Sequence, residues 1–184
     1  MAGVIDRQIR RLEALTLDLL ELHRIESAKR PPSPEPISSA SLAEWLRAEF
    51  TRRASEKDLA LSVTAPDDTF TSDRQLLELI LQNLMDNAIK FTPSGGRVAC
   101  AIERQGATVR LRVSDTGCGI PREDRTRVFE RFYQADASRT HSDEVRGTGL
   151  GLAIVKHACE RLGATVSLES ELGRGTPVTV LVPG

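Results

Sequence analysis

The sequence predicts an α+β fold: a two-layer α/β sandwich, with a mixed sheet carrying helices on one face, preceded by one long N-terminal helix. Three observations carry this prediction. Strand-like and helix-like segments are interspersed, and neighbouring strands come as hairpins. The stretch Arg30-Pro31-Pro32-Ser33-Pro34-Glu35-Pro36 also separates a segment free of Gly and Pro from the rest. The expected division is a helix in residues 1–30, an extended, semi-rigid linker in 31–36 and a compact domain in 37–184.

Each element has a local reason. Val4 to Lys29 reads as one helix, because Leu12, Leu15, Leu19 and Leu22 recur at helical spacing, Ile5 falls in the same register, and Ile9 and Ile25 widen the stripe. Such a stripe needs cover: a partner chain is the natural expectation, and packing onto the rest of the chain is the alternative. Ser41 is the expected cap of a helix running to about Lys57, with Glu44 completing a capping box. Leu59, Leu61 and Val63 alternate as a strand. Leu76, Leu77, Ile80, Leu81, Leu84 and Ala88 give a helix from about Asp73 to Phe91, ended by Pro93-Ser94-Gly95-Gly96. Val98, Cys100 and Ile102, with Val109, Leu111 and Val113, predict a hairpin around Gln105-Gly106. A helix from about Leu150 to Leu162 follows. A last hairpin joins Val166 and Leu168 to Val178, Val180 and Val182 around Gly173-Arg174-Gly175.

Bulk composition excludes several classes. A net charge of −1 gives no electrostatic case for nucleic acid or a membrane surface. The three cysteines, Cys100, Cys118 and Cys159, lack C-x-x-C spacing and read as reduced, mostly structural thiols of a cytosolic protein. No apolar run approaches the ~18 residues of a membrane span, and the N-terminus is too charged for a signal peptide. The expectation is a soluble, cytoplasmic chain, or the cytoplasmic part of a membrane receptor.

Three polar motifs point to nucleotide chemistry. Asn83 and Asn87 lie one helical turn apart, with Lys90 three residues on. Two carboxamide oxygens and an ammonium on one stripe suit a hydrated Mg²⁺ bound to phosphates. In isolation this spacing reads rather as the solvated polar face of an amphipathic helix. Asp115 continues the inward parity of Val109, Leu111 and Val113. A buried carboxylate needs a donor, and the exocyclic amine of adenine is one where guanine offers a carbonyl. Gly117 and Gly119 are expected to let backbone approach the base, although Asp-Thr-Gly is also good turn chemistry. Gly147-Thr148-Gly149-Leu150-Gly151 opens into a helix and suits a triphosphate at its N–H groups. There is no G-x-x-x-x-G-K-[ST], and polar sequence rather than a strand precedes Gly147, which argues against a dinucleotide fold. Ala135 to Arg146 is small, polar and charged, and is expected to form a lid.

Together these residues resemble the catalytic and ATP-binding domain of a sensor histidine kinase. Asn83 to Phe91 resembles the N box and Asp115 to Ile120 the first glycine box. Phe129-Glu130-Arg131-Phe132-Tyr133 resembles the F box, Gly147 to Lys156 the second glycine box, and Gly173-Arg174-Gly175-Thr176 the last one. The resemblance implies a Bergerat-type sandwich that binds ATP and Mg²⁺. It places Asn87 and Asn83 on the metal and phosphates with Lys90 beside them. It places Asp115, Gly117, Gly119, Ile120, Tyr133, Gly147, Thr148, Gly149, Leu150, Gly151, Leu152 and Thr176 around the nucleotide, Thr176 near the adenine. Many relatives carry Arg where this chain has Gln134, a departure that Arg131, Arg139 or Arg146 could compensate.

The N-terminal helix resembles the second helix of the family's dimerisation and phosphoacceptor hairpin, which implies a homodimer in the full-length kinase and a response-regulator receiver domain as partner. No His here is followed by an acid: the three are His23-Arg24, His141-Ser142 and His157-Ala158. His23 reads as an ordinary surface residue, and the chain is expected to be a fragment or a natural form without its own phosphoacceptor. Related ATPases place a general-base Glu where Asn83 stands, and an amide takes no proton at neutral pH. Transfer of the γ-phosphoryl group to histidine is therefore expected over hydrolysis. The alternatives are a non-catalytic ATP-binding sensor and an anti-sigma-type serine kinase.

Overall fold

The computed structural model describes residues 2–27, 31–134 and 147–183. The expected lid, 135–146, with Arg139, His141 and Arg146, lies outside them. The elements run α1 (Ala2–Ser27), β1 (Glu35–Ser38), α2 (Ser39–Glu56), β2 (Ala60–Thr64), β3 (Thr69–Ser72), α3 (Arg74–Phe91), β4 (Arg97–Gln105), β5 (Thr108–Asp115), α4 (Gly151–Leu162), β6 (Thr165–Leu168) and β7 (Val178–Pro183). Two short 3₁₀ turns, Arg122–Asp124 and Arg127–Phe129, lie between β5 and α4.

Five strands form one mixed sheet in the order β2-β4-β5-β7-β6. The β4–β5 pair is the expected hairpin, with Cys100 opposite Val113 and Val98 opposite Asp115. β2 joins β4 in parallel, so that junction is a crossover through β3 and α3 rather than a hairpin. Val98, Cys100, Ile102, Val109, Leu111, Val113, Val178, Val180 and Val182 turn to one face and are buried against α2, α3 and α4. The opposite parity stays polar or small, as a sheet covered on one side requires. Cys100 and Cys159 lie inside this core, where burial pushes each thiol up to about 12 and makes it inert.

Three local expectations change. The cap of α2 is Ser38, whose side chain accepts from the Ser41 N–H at 3.3 Å, while the Ser41 hydroxyl donates to the Ser38 carbonyl at 2.9 Å. The chain leaves β1 straight into the helix, so Ser41 already sits in the first turn and Glu44 completes no capping box. Glu35 and Pro36 belong to β1, which pairs with β3 in a two-stranded ribbon that buries Ile37 opposite Phe70. A ribbon is all edge, so a proline is tolerated there.

The stripe on α1 divides between two faces. Leu22 and Ile25 pack with Leu150 and Ile154 in a small cluster of their own, so this part of the helix is covered by the same chain. Ile9, Leu12, Leu19 and Leu20 remain exposed, Leu12 at 64%. Packing onto the same chain therefore accounts for the Leu22 and Ile25 face.

Candidate functional site

At one end of the cleft, the loop after β5 meets the loop before β7. The Gly173 N–H donates to the Cys118 carbonyl at 2.7 Å. A Cβ on Gly119 would lie 2.0 Å from the Glu171 carbonyl oxygen, and one on Gly175 would lie 1.8 Å from that of Asp115. Both glycines also adopt positive φ, +71° and +83°. A Cβ on Gly117 would meet the Phe91 carbonyl oxygen at 2.6 Å. These glycines are thus required by backbone packing against the protein itself, a reason the sequence reading had assigned to the base.

Asp115 ends β5 at this junction, half-buried, and its Oδ1 accepts from the Gly117 N–H at 2.7 Å. The backbone N–H of Thr176 also donates to this carboxylate, yet burial dominates and raises its pKa. The carboxylate is held by two backbone donors from two glycine loops, with no basic side chain beside it among the described residues, and retains acceptor capacity. That donor set fits a ligand amine.

At the other end, α3 presents the predicted amide stripe. The Asn83 Nδ2 donates to the Leu79 carbonyl at 2.9 Å, which leaves its Oδ1 facing the start of α4. A Cβ on Gly151 would lie 3.1 Å from Asn83 Oδ1 and within 3.6 and 3.9 Å of the Asn87 carboxamide atoms. One on Gly147 would lie 2.7 Å from the Lys90 Nζ, which also sits 5.3 Å from the Phe91 ring centroid. Asn83, Asn87, Lys90, Gly147 and Gly151 therefore converge. Among the described residues no side chain caps the N-terminus of α4, so its first N–H groups are available to an anion. Leu150 is buried and Leu152 packs against the core, which fixes where the helix begins.

The F-box segment braces this end. Phe132 adopts φ +62° and is 55% exposed, and its N–H donates to the Gly149 carbonyl at 2.9 Å. A left-handed, exposed aromatic residue is costly, and such strain gathers at functional sites. Gln134 donates from Nε2 to the Gly147 carbonyl at 2.7 Å. The Tyr133 hydroxyl donates to Asp124 at 2.6 Å, and its ring lies under the Arg127 guanidinium at 4.4 Å.

Unforeseen in the sequence, α1 reaches this end too. The Thr148 hydroxyl donates to Asp18 at 2.5 Å. Glu26 pairs with Arg131, and the His157 Nε2 lies 3.1 Å from Glu26. Arg131, a candidate to replace the missing Arg at 134, is thus engaged by α1.

The motifs Asn83–Asn87, Asp115, Gly147–Gly151 and Gly175–Thr176 follow in this order on a mixed sheet with helices on one face. A family model for histidine kinase-, DNA gyrase B-, and HSP90-like ATPase matches residues 72–184. The chain belongs to this family. Sensor-like histidine kinase SenX3 of Mycobacterium tuberculosis (strain ATCC 25618 / H37Rv) is 34% identical to it over 174 residues, 94% of this chain and 42% of that protein. Circadian input-output histidine kinase CikA of Synechococcus elongatus is 36% identical over 170 residues, 90% of this chain and 22% of that protein. Full-length ShkA, solved in complex with AMPPNP, matches with a TM-score of 0.79 at 33% identity, over 94% of this chain and 35% of that one. The chain spans less than half the length of these relatives. As an ATPase-family domain it is an ATP-binding module.

One residue of this module was missed by the sequence reading. Ser170 is buried between the two interlocked glycine loops and bonds to both. A serine after a strand and before a glycine turn is ordinary turn chemistry, so nothing in its local sequence marks it.

Proposed function

We propose that this domain serves a two-component sensor histidine kinase, transferring the γ-phosphoryl group of Mg-ATP to a histidine on a phosphoacceptor helix, from which it passes to a response-regulator aspartate. The observation that carries this reading is Asn83. Its carboxamide faces the start of α4, its nitrogen is committed to the Leu79 carbonyl, and an amide has no basic lone pair with which to deprotonate water. A neutral imidazole, by contrast, is already a nucleophile and needs positioning more than activation.

Asp115 takes the adenine amine, and the N-terminus of α4 with Gly147–Gly151 takes the phosphates. Asn83 and Asn87 would hold the Mg²⁺, which neutralises phosphate charge when bound. Lys90 stands beside the Gly147 end of the phosphate loop. The exposed face of α1, with Ile9, Leu12, Leu19 and Leu20, is the face for the phosphoacceptor hairpin and its homodimer. A response-regulator receiver domain is the downstream partner; one structural neighbour, the histidine kinase ThkA, was solved in complex with response regulator protein TrrA. No helix among the described residues is long and apolar enough to cross a membrane, and we place this domain in the cytoplasm.

The test is incubation of the chain with γ-labelled ATP and a separate histidine-bearing hairpin domain. The hairpin is expected to gain acid-labile phosphate while the chain stays unlabelled. Stable labelling of the chain itself, or release of inorganic phosphate alone, would overturn the proposal.

A further inference from the structure

Ser170 lies just after β6, 6% exposed, where the first and last glycine loops meet. Its Oγ has three partners: the Ile120 N–H at 2.7 Å, the Gly175 carbonyl at 2.7 Å and the Thr176 Oγ1 at 3.1 Å. The first can only donate and the second can only accept. A serine hydroxyl has a single hydrogen, and here the Gly175 carbonyl takes it. The contact with Thr176 is then made by the Thr176 hydrogen, and the Thr176 oxygen keeps its lone pairs for other partners. Thr176 is half-buried, and its own backbone N–H donates to the Asp115 carboxylate, so the Thr176 hydroxyl and the Asp115 carboxylate are neighbours.

We propose that Ser170 is a positioning residue that turns the Thr176 hydroxyl hydrogen away from the cleft, so that Asp115 and Thr176 present acceptors alone and select a purine carrying an exocyclic amine. This rests on the ATP-binding reading and adds to it a residue outside every glycine motif. A hydroxyl left free to rotate would donate to a carbonyl as readily as it accepts from an amine, and discrimination at that point would be lost. Holding its hydrogen on a buried serine removes that freedom. The same serine ties the Ile120 N–H to the Gly175 carbonyl, so the two loops and the hydroxyl orientation are set together.

The experiment is calorimetric titration of the intact chain, with Mg²⁺ present, against ATP and against inosine triphosphate, which carries a carbonyl where ATP has the amine. Wild type, Ser170→Ala, Thr176→Val and the double variant are compared. Ser170→Ala is expected to lower the preference for ATP over the carbonyl-bearing nucleotide about tenfold, one hydrogen bond's worth. Thr176→Val is expected to lower it by a similar factor, and the double variant no further than either single one. Ser170→Cys, whose sulfur is a weak donor and acceptor, gives the same reading should the alanine protein not fold. If both nucleotides weaken in parallel and the preference survives, Ser170 only braces the loops and the inference is overturned, with the ATP-binding reading intact. A wild-type chain that binds neither nucleotide overturns both.

Discussion

The two ends of the cleft are built differently. At the Asp115 end the partners are two loops packed backbone to backbone: Gly119 against Glu171, Gly175 against Asp115, Gly173 bonded to Cys118, and Ser170 joining Ile120 to Gly175. At the Gly147–Gly151 end the partners are surface segments: exposed Phe132 on Gly149, Gln134 on Gly147, and Asp18 of α1 on Thr148. Loop-on-loop packing holds the Asp115 end in place without a ligand, as the proposed reading of the base requires. The phosphate end is assembled from pieces that belong to other parts of the molecule, so it is the end through which α1 can influence nucleotide binding.

The contrast predicts a graded series of effects. The largest falls on Gly175→Ala, whose Cβ would sit 1.8 Å from the Asp115 carbonyl oxygen at a φ of +83°. The clash is with backbone on both sides, so urea unfolding should show a loss of about 3 kcal/mol or more, and ATP binding should vanish. Gly149→Ala, at the phosphate end, meets the exposed Phe132 backbone at 2.7 Å. That segment has room to shift, so the variant should fold and show weakened ATP binding; equal destabilisation of the two variants would erase the distinction.

Next in size is Asn87→Ala. ATP affinity measured with Mg²⁺ and with chelator should lose most of the metal-dependent gain, about tenfold. Retention of the full gain would move the metal away from α3. A smaller effect is expected from Asp18→Asn. Removing a carboxylate that bonds to Thr148 should raise ATP affinity about two- to fivefold at low salt and less at high salt. Identical affinities in the two proteins would show that α1 does not reach the phosphates.

The gentlest effect is on pH. Burial raises the Asp115 pKa, so protonation deprives the site of its acceptor before an exposed carboxylate would titrate. ATP affinity should fall as pH drops through that raised pKa, and the profile of Asp115→Asn should be flat over the same window. For the ligand-free fold the sign is opposite. A folded pKa above the unfolded one contributes stability that is complete below the unfolded pKa and is lost as pH rises through the folded one. Acid thus weakens binding at Asp115 while favouring the empty fold there.

Much of the architecture was legible because periodicity records burial. The alternation in Val98–Ile102 and Val109–Val113 and the 3.6-residue pattern in α3 and α4 each describe one buried face. β1 and β3 escaped because four-residue strands in a ribbon, one containing Pro36, carry no pattern long enough to read. Ser38 was passed over for Ser41 because Ser38, Ser39 and Ser41 offer three competing hydroxyls within four residues. On α1, one apolar stripe concealed two faces, since Leu22 and Ile25 differ from Leu12 and Leu19 by less than a quarter to half a turn around the helix. The sequence singled out Asn83, Asn87, Asp115 and the glycine loops as motifs, and the structure brings Gly147 and Gly151 to Lys90, Asn83 and Asn87 and packs the Gly119 and Gly175 loops together around Asp115. Ser170 and Asp18 were not singled out, because a serine or aspartate acquires its role only from what folding brings against it.

The central claim is that a carboxylate held by two glycine-loop N–H groups reads the adenine amine in a preformed cleft. Calorimetric titration of Asp115→Asn with Mg-ATP, beside the wild type, tests it most directly. The account predicts a fold that is retained and an ATP affinity lowered about a hundredfold, because the amide presents its own N–H groups to a site built for donors. Undiminished affinity in a folded Asp115→Asn protein would contradict it.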